Sequence, residues 1–237
     1  MNGPWNLFVL PFAGATARLF LPMRRFLPAS ITLIPLDPPG HGARLDEAPF
    51  HTLEEVVSDT ITQIQKYQGI PFAIYGHSFG GRIAERTARR LCTDSMLVPQ
   101  HVFLSGCGTQ GISSSLNGIA SLPDDQFIEA LKPLGGGFPT REEFPDFYNK
   151  MMEVLRADFA ALCGDMPYND CPLDVPLTLL WSPDDVVTWE EVSQWEKVTL
   201  QGGRFVELTG DHFFPLKHLE KIAREIAEDL AVIHEVL

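Results

Sequence analysis

The residues best equipped for chemistry are Gly76-His77-Ser78-Phe79-Gly80. They form a G-x-S-x-G sequence directly after Pro71-Phe72-Ala73-Ile74-Tyr75, whose apolar run predicts a buried strand. A serine on a sharp strand-to-helix turn is held exposed. Small residues two places away on either side let the backbone turn that tightly. The pattern is that of an acyl-transfer nucleophile.

A serine hydroxyl is a poor nucleophile at neutral pH. It needs a base to take its proton, and the base needs an acid to orient it. On a strand-turn-helix scaffold the partners are expected in the order Ser, Asp, His. The base is expected at His212, in Gly210-Asp211-His212-Phe213-Phe214, just after an apolar stretch from Phe205 to Leu208. The acid is expected in Ser182-Pro183-Asp184-Asp185, just after Leu177 to Trp181. Its two adjacent carboxylates leave both Asp184 and Asp185 open. Among the other histidines, His41 in Pro39-Gly40-His41-Gly42 either lines the cleft or serves a turn. His77 beside the serine reads as a packing or loop-bonding residue, and His218 as structural or exposed. His51, His101 and His234 have no catalytic context.

A tetrahedral intermediate also needs donors aimed at its oxyanion. One is expected to be the backbone N–H of Phe79, and the other to come from Pro11-Phe12-Ala13-Gly14-Ala15 after the first strand. Ala13 is the choice there, with Phe12 as its neighbour alternative; Pro11 has no N–H to give.

These groups must be carried by a scaffold, and the sequence supplies one. Apolar stretches at 7–10, 31–36, 72–75, 102–105, 177–181 and 205–208 read as strands. Helices are expected at 17–26, 52–67, from Ser78 to about Leu91, at 190–197 and at 216–237. Thr52 and Glu55 form a capping box ahead of an apolar stripe of Leu53, Val56, Val57, Thr60, Ile61 and Ile64. Pro35 marks the second strand as a candidate edge strand. Strands separated by helices imply an α/β fold, with a mostly parallel sheet covered on both faces. Between residues 108 and 173 no strand is legible. Helices are expected at 124–131 and, as one or two pieces, at 142–162, with a turn at 134–137. This block reads as a helical lid inserted into one domain spanning 1–237. It would exclude water and shape an acyl channel; the plainer alternative is a packing extension. Gly135-Gly136-Gly137 lacks the lysine and hydroxyl of a phosphate loop, so no nucleotide role is assigned.

The 237 residues suffice for one sizeable core, and a net charge of -13 argues against general nucleic-acid binding. Arg82, Arg86, Arg89 and Arg90 follow the nucleophile and read as a docking face or, more simply, as a solvated helix face. Cys92, Cys107, Cys163 and Cys171 form no CxxC and no zinc spacing. Free thiols in a reducing cytoplasm, with no metal, are the expectation. No apolar segment has the length to span a membrane, and Met1-Asn2-Gly3-Pro4-Trp5 lacks the basic start of a secretory signal.

Taken together the motifs resemble those of type II thioesterases, the α/β-hydrolase enzymes that accompany modular polyketide and nonribosomal peptide synthases. The resemblance covers nearly the full length. It rests on Leu10-Pro11-Phe12-Ala13-Gly14-Ala15, Pro38-Pro39-Gly40-His41-Gly42-Ala43-Arg44, Gly76-His77-Ser78-Phe79-Gly80-Gly81, Leu155-Arg156-Ala157-Asp158-Phe159, Trp195 and His212-Phe213-Phe214. It implies Ser78, Asp185 and His212 in the triad roles. It implies hydrolysis of acyl groups from the phosphopantetheine arm of acyl or peptidyl carrier proteins, clearing aberrant or stalled units. No cofactor is implied beyond the arm on the substrate, and a monomer is expected. A small-molecule esterase or acyl-CoA hydrolase, and a non-catalytic synthase-binding protein, are the competing readings. Ser182 and Asp211 stand where the family often has glycine; an Asp211 carboxylate close to His212 would favour the imidazolium.

Overall fold

A computed structural model describes residues 4–94, 97–109, 116, 118–135, 140–164 and 172–236. Its centre is a six-stranded sheet of β1 (Trp5–Leu10), β2 (Ile31–Pro35), β3 (Phe72–His77), β4 (His101–Ser105), β5 (Leu177–Trp181) and β6 (Gly203–Glu207). The strand order is β2-β1-β3-β4-β5-β6, and every pair is parallel. This is the α/β-hydrolase arrangement expected from the sequence. Pro35 indeed lies on an edge strand, where its missing N–H costs no ladder bond.

The strands alternate between two cores, as period-two side-chain placement requires. Phe8, Leu10, Ile74, Val102 and Leu104 face one core with α1 (Leu53–Ile64) and α2 (Phe79–Asp94). Leu7, Val9, Tyr75 and Phe103 face the other, with Phe20, Met23 and Ile226. Near-continuous burial along β1, β3 and β4 explains why these strands read as apolar runs. The capping box at Thr52 forms, with Thr52 Oγ1 accepting from the Glu55 N–H and the Glu55 carboxylate accepting from the Thr52 N–H.

Several boundaries differ from the sequence reading. The helix expected at 17–26 is Ala17–Arg25, and it is a 3₁₀ helix; Pro22 inside it removes one donor. The stretch expected to be helical at 190–197 is α5 (Trp189–Ser193) followed by 3₁₀ turns. The expected terminal helix divides into α6 (Phe214–Lys217) and α7 (Leu219–Val236), interrupted at His218. Between β4 and β5 lie α3 (Asp124–Leu131) and α4 (Pro145–Cys163). Part of the expected 134–137 turn and Cys171 lie outside the described residues. Among those described, no helix is long and apolar enough to cross a membrane.

The strand order reverses between β1 and β3, which are neighbours in space with β2 on the far side. In open parallel sheets such a reversal opens a crevice at the carboxyl ends of the strands. Here it brings the loop after β1 beside the turn after β3.

Candidate active site

The turn after β3 is built by close approach. A Cβ on Gly76 would lie 2.0 Å from the Gly80 carbonyl oxygen, and one on Gly80 would lie 2.4 Å from that of Leu10. Both positions exclude any side chain, so the G-x-S-x-G spacing is a steric requirement. Ser78 itself has φ +54°, the sole positive φ at a non-glycine among the described residues. Such a conformation costs about 1–3 kcal/mol and persists only where the surroundings hold it. The holding contacts include the Ser78 N–H, which donates to the Ser105 carbonyl at 2.8 Å.

His212 and Asp185 reach the same point from the loops after β6 and β5. His212 Nε2 lies 2.9 Å from Ser78 Oγ, and His212 Nδ1 lies 2.7 Å from Asp185 Oδ1. A carboxylate only accepts, so Nδ1 carries the proton and Nε2 is left to accept from the serine hydroxyl. Both partners are nearly sealed from solvent, at 4% and 1% side-chain exposure, which strengthens the pairing. The Val187 N–H also donates to Asp185 Oδ1, at 3.2 Å.

The choice between the two aspartates is therefore geometric. Asp184 Oδ2 accepts instead from the Gly210 N–H, at 3.4 Å, and braces the histidine loop. Ser182 braces it too: its hydroxyl donates to the Gly210 carbonyl at 2.6 Å and accepts from the Asp184 N–H. Asp211 turns away from His212. Its carboxylate accepts from the Phe213 N–H at 3.1 Å and faces Lys217 Nζ at 3.2 Å. The two departures from the family pattern thus reinforce the loop and leave the imidazole to Asp185.

The expected oxyanion donors belong to two turns that approach one another, the one after β3 and the one after β1. Phe79 is the first residue of α2, so its N–H is one of the helix's donors without an intrahelical acceptor, at the positive end of the dipole. Ala13 lies in a turn closed by the Ala15 N–H donating to the Phe12 carbonyl at 3.1 Å, with Gly14 at φ +73° in the third position. Glycine is the residue that such a turn favours there. The close approach of Gly80 to Leu10 and Pro11 sets this turn against the serine elbow.

His77 takes the packing role read from sequence. Its ring lies 4.9 Å from that of His212 and edge-on to Phe12 and Phe214, and Nδ1 is 3.0 Å from the Ser105 carbonyl. Burial, and then the nearby charge of His212, hold its pKa well below the ordinary value, so it stays neutral. His41 does more than either role foreseen for it: Nε2 meets the buried carboxylate of Asp158 at 2.9 Å. Arg82 is a correction. It is buried, donates to the Gly108 and Thr109 carbonyls, and borders the cavity at Ser78, so it belongs to neither a docking nor a solvated face. Arg89 pairs with Glu85, and Arg90 with Glu54.

The cavity is apolar elsewhere, with Phe159 and Leu162 of α4 facing Val186 and Val187 of the acid loop. The Arg156-Ala157-Asp158-Phe159 stretch divides its labour by helix face. Arg156 donates to the Ala120 carbonyl and to Asp124, and lies over the Phe127 ring. Asp158 points to the loops after β1 and β2, and Phe159 lines the cavity. Trp195, fully buried, donates from Nε1 to the Cys107 carbonyl at 2.8 Å and fixes another wall residue.

Parallel sheet, serine elbow and late-loop histidine together define an α/β hydrolase. Comparison with known proteins narrows this. A family model described as the thioesterase domain matches residues 6–230, and the chain belongs to that family. It is a thioester hydrolase on the serine-hydrolase fold. Gramicidin S biosynthesis protein GrsT of Aneurinibacillus migulanus is 33% identical over 211 residues, covering 88% of this chain and 82% of GrsT. The crystal structure of ClbQ from the colibactin NRPS/PKS pathway matches with a TM-score of 0.89 at 27% identity, over 99% of this chain and 100% of ClbQ. RedJ, a thioesterase from the prodiginine biosynthetic pathway in Streptomyces coelicolor, matches with a TM-score of 0.84 at 26% identity, over 96% and 91% of the two chains. The resemblance to type II thioesterases read from the motifs agrees with these relatives.

Proposed function

We propose that this protein is a type II thioesterase that hydrolyses acyl groups from the phosphopantetheine arm of acyl or peptidyl carrier proteins. It would remove aberrant or stalled units during polyketide or nonribosomal peptide synthesis. The observation that carries this reading is the continuous contact from Ser78 Oγ to His212 at 2.9 Å and on to Asp185 at 2.7 Å, beside an apolar cavity. The pathways named for GrsT, ClbQ and RedJ support the choice of substrate.

In this mechanism His212 Nε2 takes the Ser78 proton as Oγ attacks the thioester carbonyl. The carbonyl oxygen becomes an oxyanion between the N–H groups of Phe79 and Ala13. Collapse expels the pantetheine sulfur, which takes the proton that His212 carries and leaves as the thiol; it needs less of this help than an alkoxide because thiols are the stronger acids. His212, neutral again, takes a proton from water as the water attacks the acyl-serine ester, and passes that proton to Ser78 Oγ as the acid is released. Asp185 stays ionised and holds the imidazole tautomer throughout.

Incubation with an acyl-loaded carrier protein, followed by intact-mass measurement, tests the proposal. The native enzyme is expected to free the arm and Ser78→Ala is not. Acyl loss at equal rates with both proteins would refute it.

A further inference from the structure

The buried carboxylate of Asp158 joins three chain segments that are remote in sequence. From α4 its Oδ2 accepts from the Gly14 N–H at 2.7 Å and meets His41 Nε2 at 2.9 Å. Both partners of the ion pair are almost wholly buried, at 1% and 3% side-chain exposure. The second ring nitrogen, His41 Nδ1, lies 3.0 Å from the Pro39 carbonyl oxygen. Both nitrogens of His41 thus face groups that only accept. A neutral imidazole has one donor and one acceptor, so only the imidazolium satisfies both contacts. Breaking such a buried pair from one side leaves an uncompensated charge.

The position of this pair matters because of what Gly14 is attached to. Asp158 pins the peptide N–H immediately after Ala13, within the Phe12–Ala15 turn. A Cβ on Gly14 would lie 2.7 Å from Leu155 Cδ1, so α4 is packed directly on that turn. The far end of the loop is held separately: Asp37 accepts from Thr16 Oγ1 and from the Ala17 N–H. The turn carrying Ala13 is therefore clamped between Asp37 on the loop after β2 and Asp158 on α4.

We propose that Asp158, paired with a protonated His41, is a positioning residue for the oxyanion donor on Ala13. This rests on the reading of Ser78 and the oxyanion donors given above. Neither Asp158 nor His41 touches substrate. They act through the orientation of the Phe12–Ala15 turn, where a displacement of about 1 Å suffices to cost two orders of magnitude in rate. The groups bearing on His41 are Asp158 from α4, and the Pro39 carbonyl and Asp37 from its own loop. Arg44 is engaged by Glu47, Asp59 and the Asp37 carbonyl. Burial is the largest single influence on the His41 pKa and lowers it, but the hydrogen bond and charge of Asp158, together with Pro39 and Asp37, turn the net shift upward.

The test uses an acyl-N-acetylcysteamine thioester with the native protein, Asp158→Ala, Asp158→Asn, His41→Gln and Ser78→Ala. Reactive serine is counted with a fluorophosphonate, and kcat is expressed per reactive site. Asp158→Ala is expected to lose about 100-fold in kcat with KM little changed, and Asp158→Asn, which keeps an acceptor for Gly14 but no charge, about 10-fold. An alkyl boronic acid, whose tetrahedral adduct occupies the oxyanion site, is expected to lose affinity in step with kcat. The native profile is expected to fall on the alkaline side as His41 loses its proton, and His41→Gln to abolish that limb. If Asp158→Ala does not fold, Asp158→Asn decides. A loss confined to KM, or one that vanishes per reactive serine, overturns the proposal, as does an alkaline limb unchanged in His41→Gln. Equal activity in Ser78→Ala would instead refute the reading of the site itself. A dead Ser78→Ala beside a fully active Asp158→Ala refutes only the positioning role.

Discussion

At the scale of single residues, the decisive feature is how few groups compete for each role. Asp184 and Asp185 are adjacent, yet one meets His212 Nδ1 at 2.7 Å and the other accepts from the Gly210 N–H at 3.4 Å. Asp185→Asn preserves size but favours the wrong imidazole tautomer. It is expected to lower kcat by about 10³- to 10⁴-fold. Asp184→Asn retains an acceptor for Gly210 and is expected to stay within about threefold of the native rate, since it removes no transition-state contact. Steady-state thioester hydrolysis by both variants checks the pair, and similar losses in the two would remove Asp185 from its assigned role. Ser182→Ala, which loses the 2.6 Å bond to Gly210, is expected to fall between them.

At the scale of elements, the site depends on backbones that touch. Gly80 sits where any Cβ would meet the Leu10 and Pro11 carbonyl oxygens at 2.4 and 2.5 Å. Gly80→Ala is expected to push the elbow away from the loop carrying Ala13, reducing kcat by about 100-fold or more. Its unfolding free energy in urea reports whether the backbone relaxed to admit the methyl group. Native kcat in folded Gly80→Ala would contradict the proposal that this close approach positions the oxyanion donors. Thr52→Ala gives the opposite outcome. It removes the capping box of α1, far from the chemistry, and is expected to cost about 1 kcal/mol of stability with kcat unchanged. Urea unfolding and the thioester assay, run together, separate these two kinds of element contact.

At the scale of the molecule, three buried histidines give stability a pH dependence of two signs. His101 is pushed down to about 4, chiefly by burial, with Asp229 opposing and Arg204 adding. His77 is also held low, by burial and then by His212. Above the ordinary value of 6.5 these two are neutral in both folded and unfolded chains and contribute no slope. As pH falls below 6.5 the unfolded chain gains protons that the folded one refuses, and stability is lost; for His101 the loss continues to about 4. His41 runs the other way. Its raised pKa gives stability that is complete below 6.5 and lost as pH rises through the folded value. Urea unfolding across pH 4 to 9 is expected to show both flanks. His101→Gln is expected to flatten the acid flank, and Asp158→Asn the alkaline one. An unchanged acid flank in His101→Gln would show that this residue is protonated without cost when folded.

The amino-acid sequence alone determined the sheet, the serine elbow and the histidine loop. Each is written in local terms: apolar runs of strand length, glycines at the only spacing that lets the elbow close, and a histidine placed just past a late strand. The capping box was legible for the same reason, because both its partners lie within one helical turn. The residues by themselves left Asp184 and Asp185 open, and only the motif resemblance favoured Asp185; tertiary structure gave the contact with His212, turned Asp211 towards Lys217 and buried Arg82 beside the cavity. It also joined Asp158 to Gly14 and His41, contacts that span 144 and 117 residues. Side-chain direction and long-range pairing are set by how α4 and the strand-end loops pack together. Gly14, His41 and Asp158 each stand in a motif legible in the chain, but no local period or cap says that the three meet.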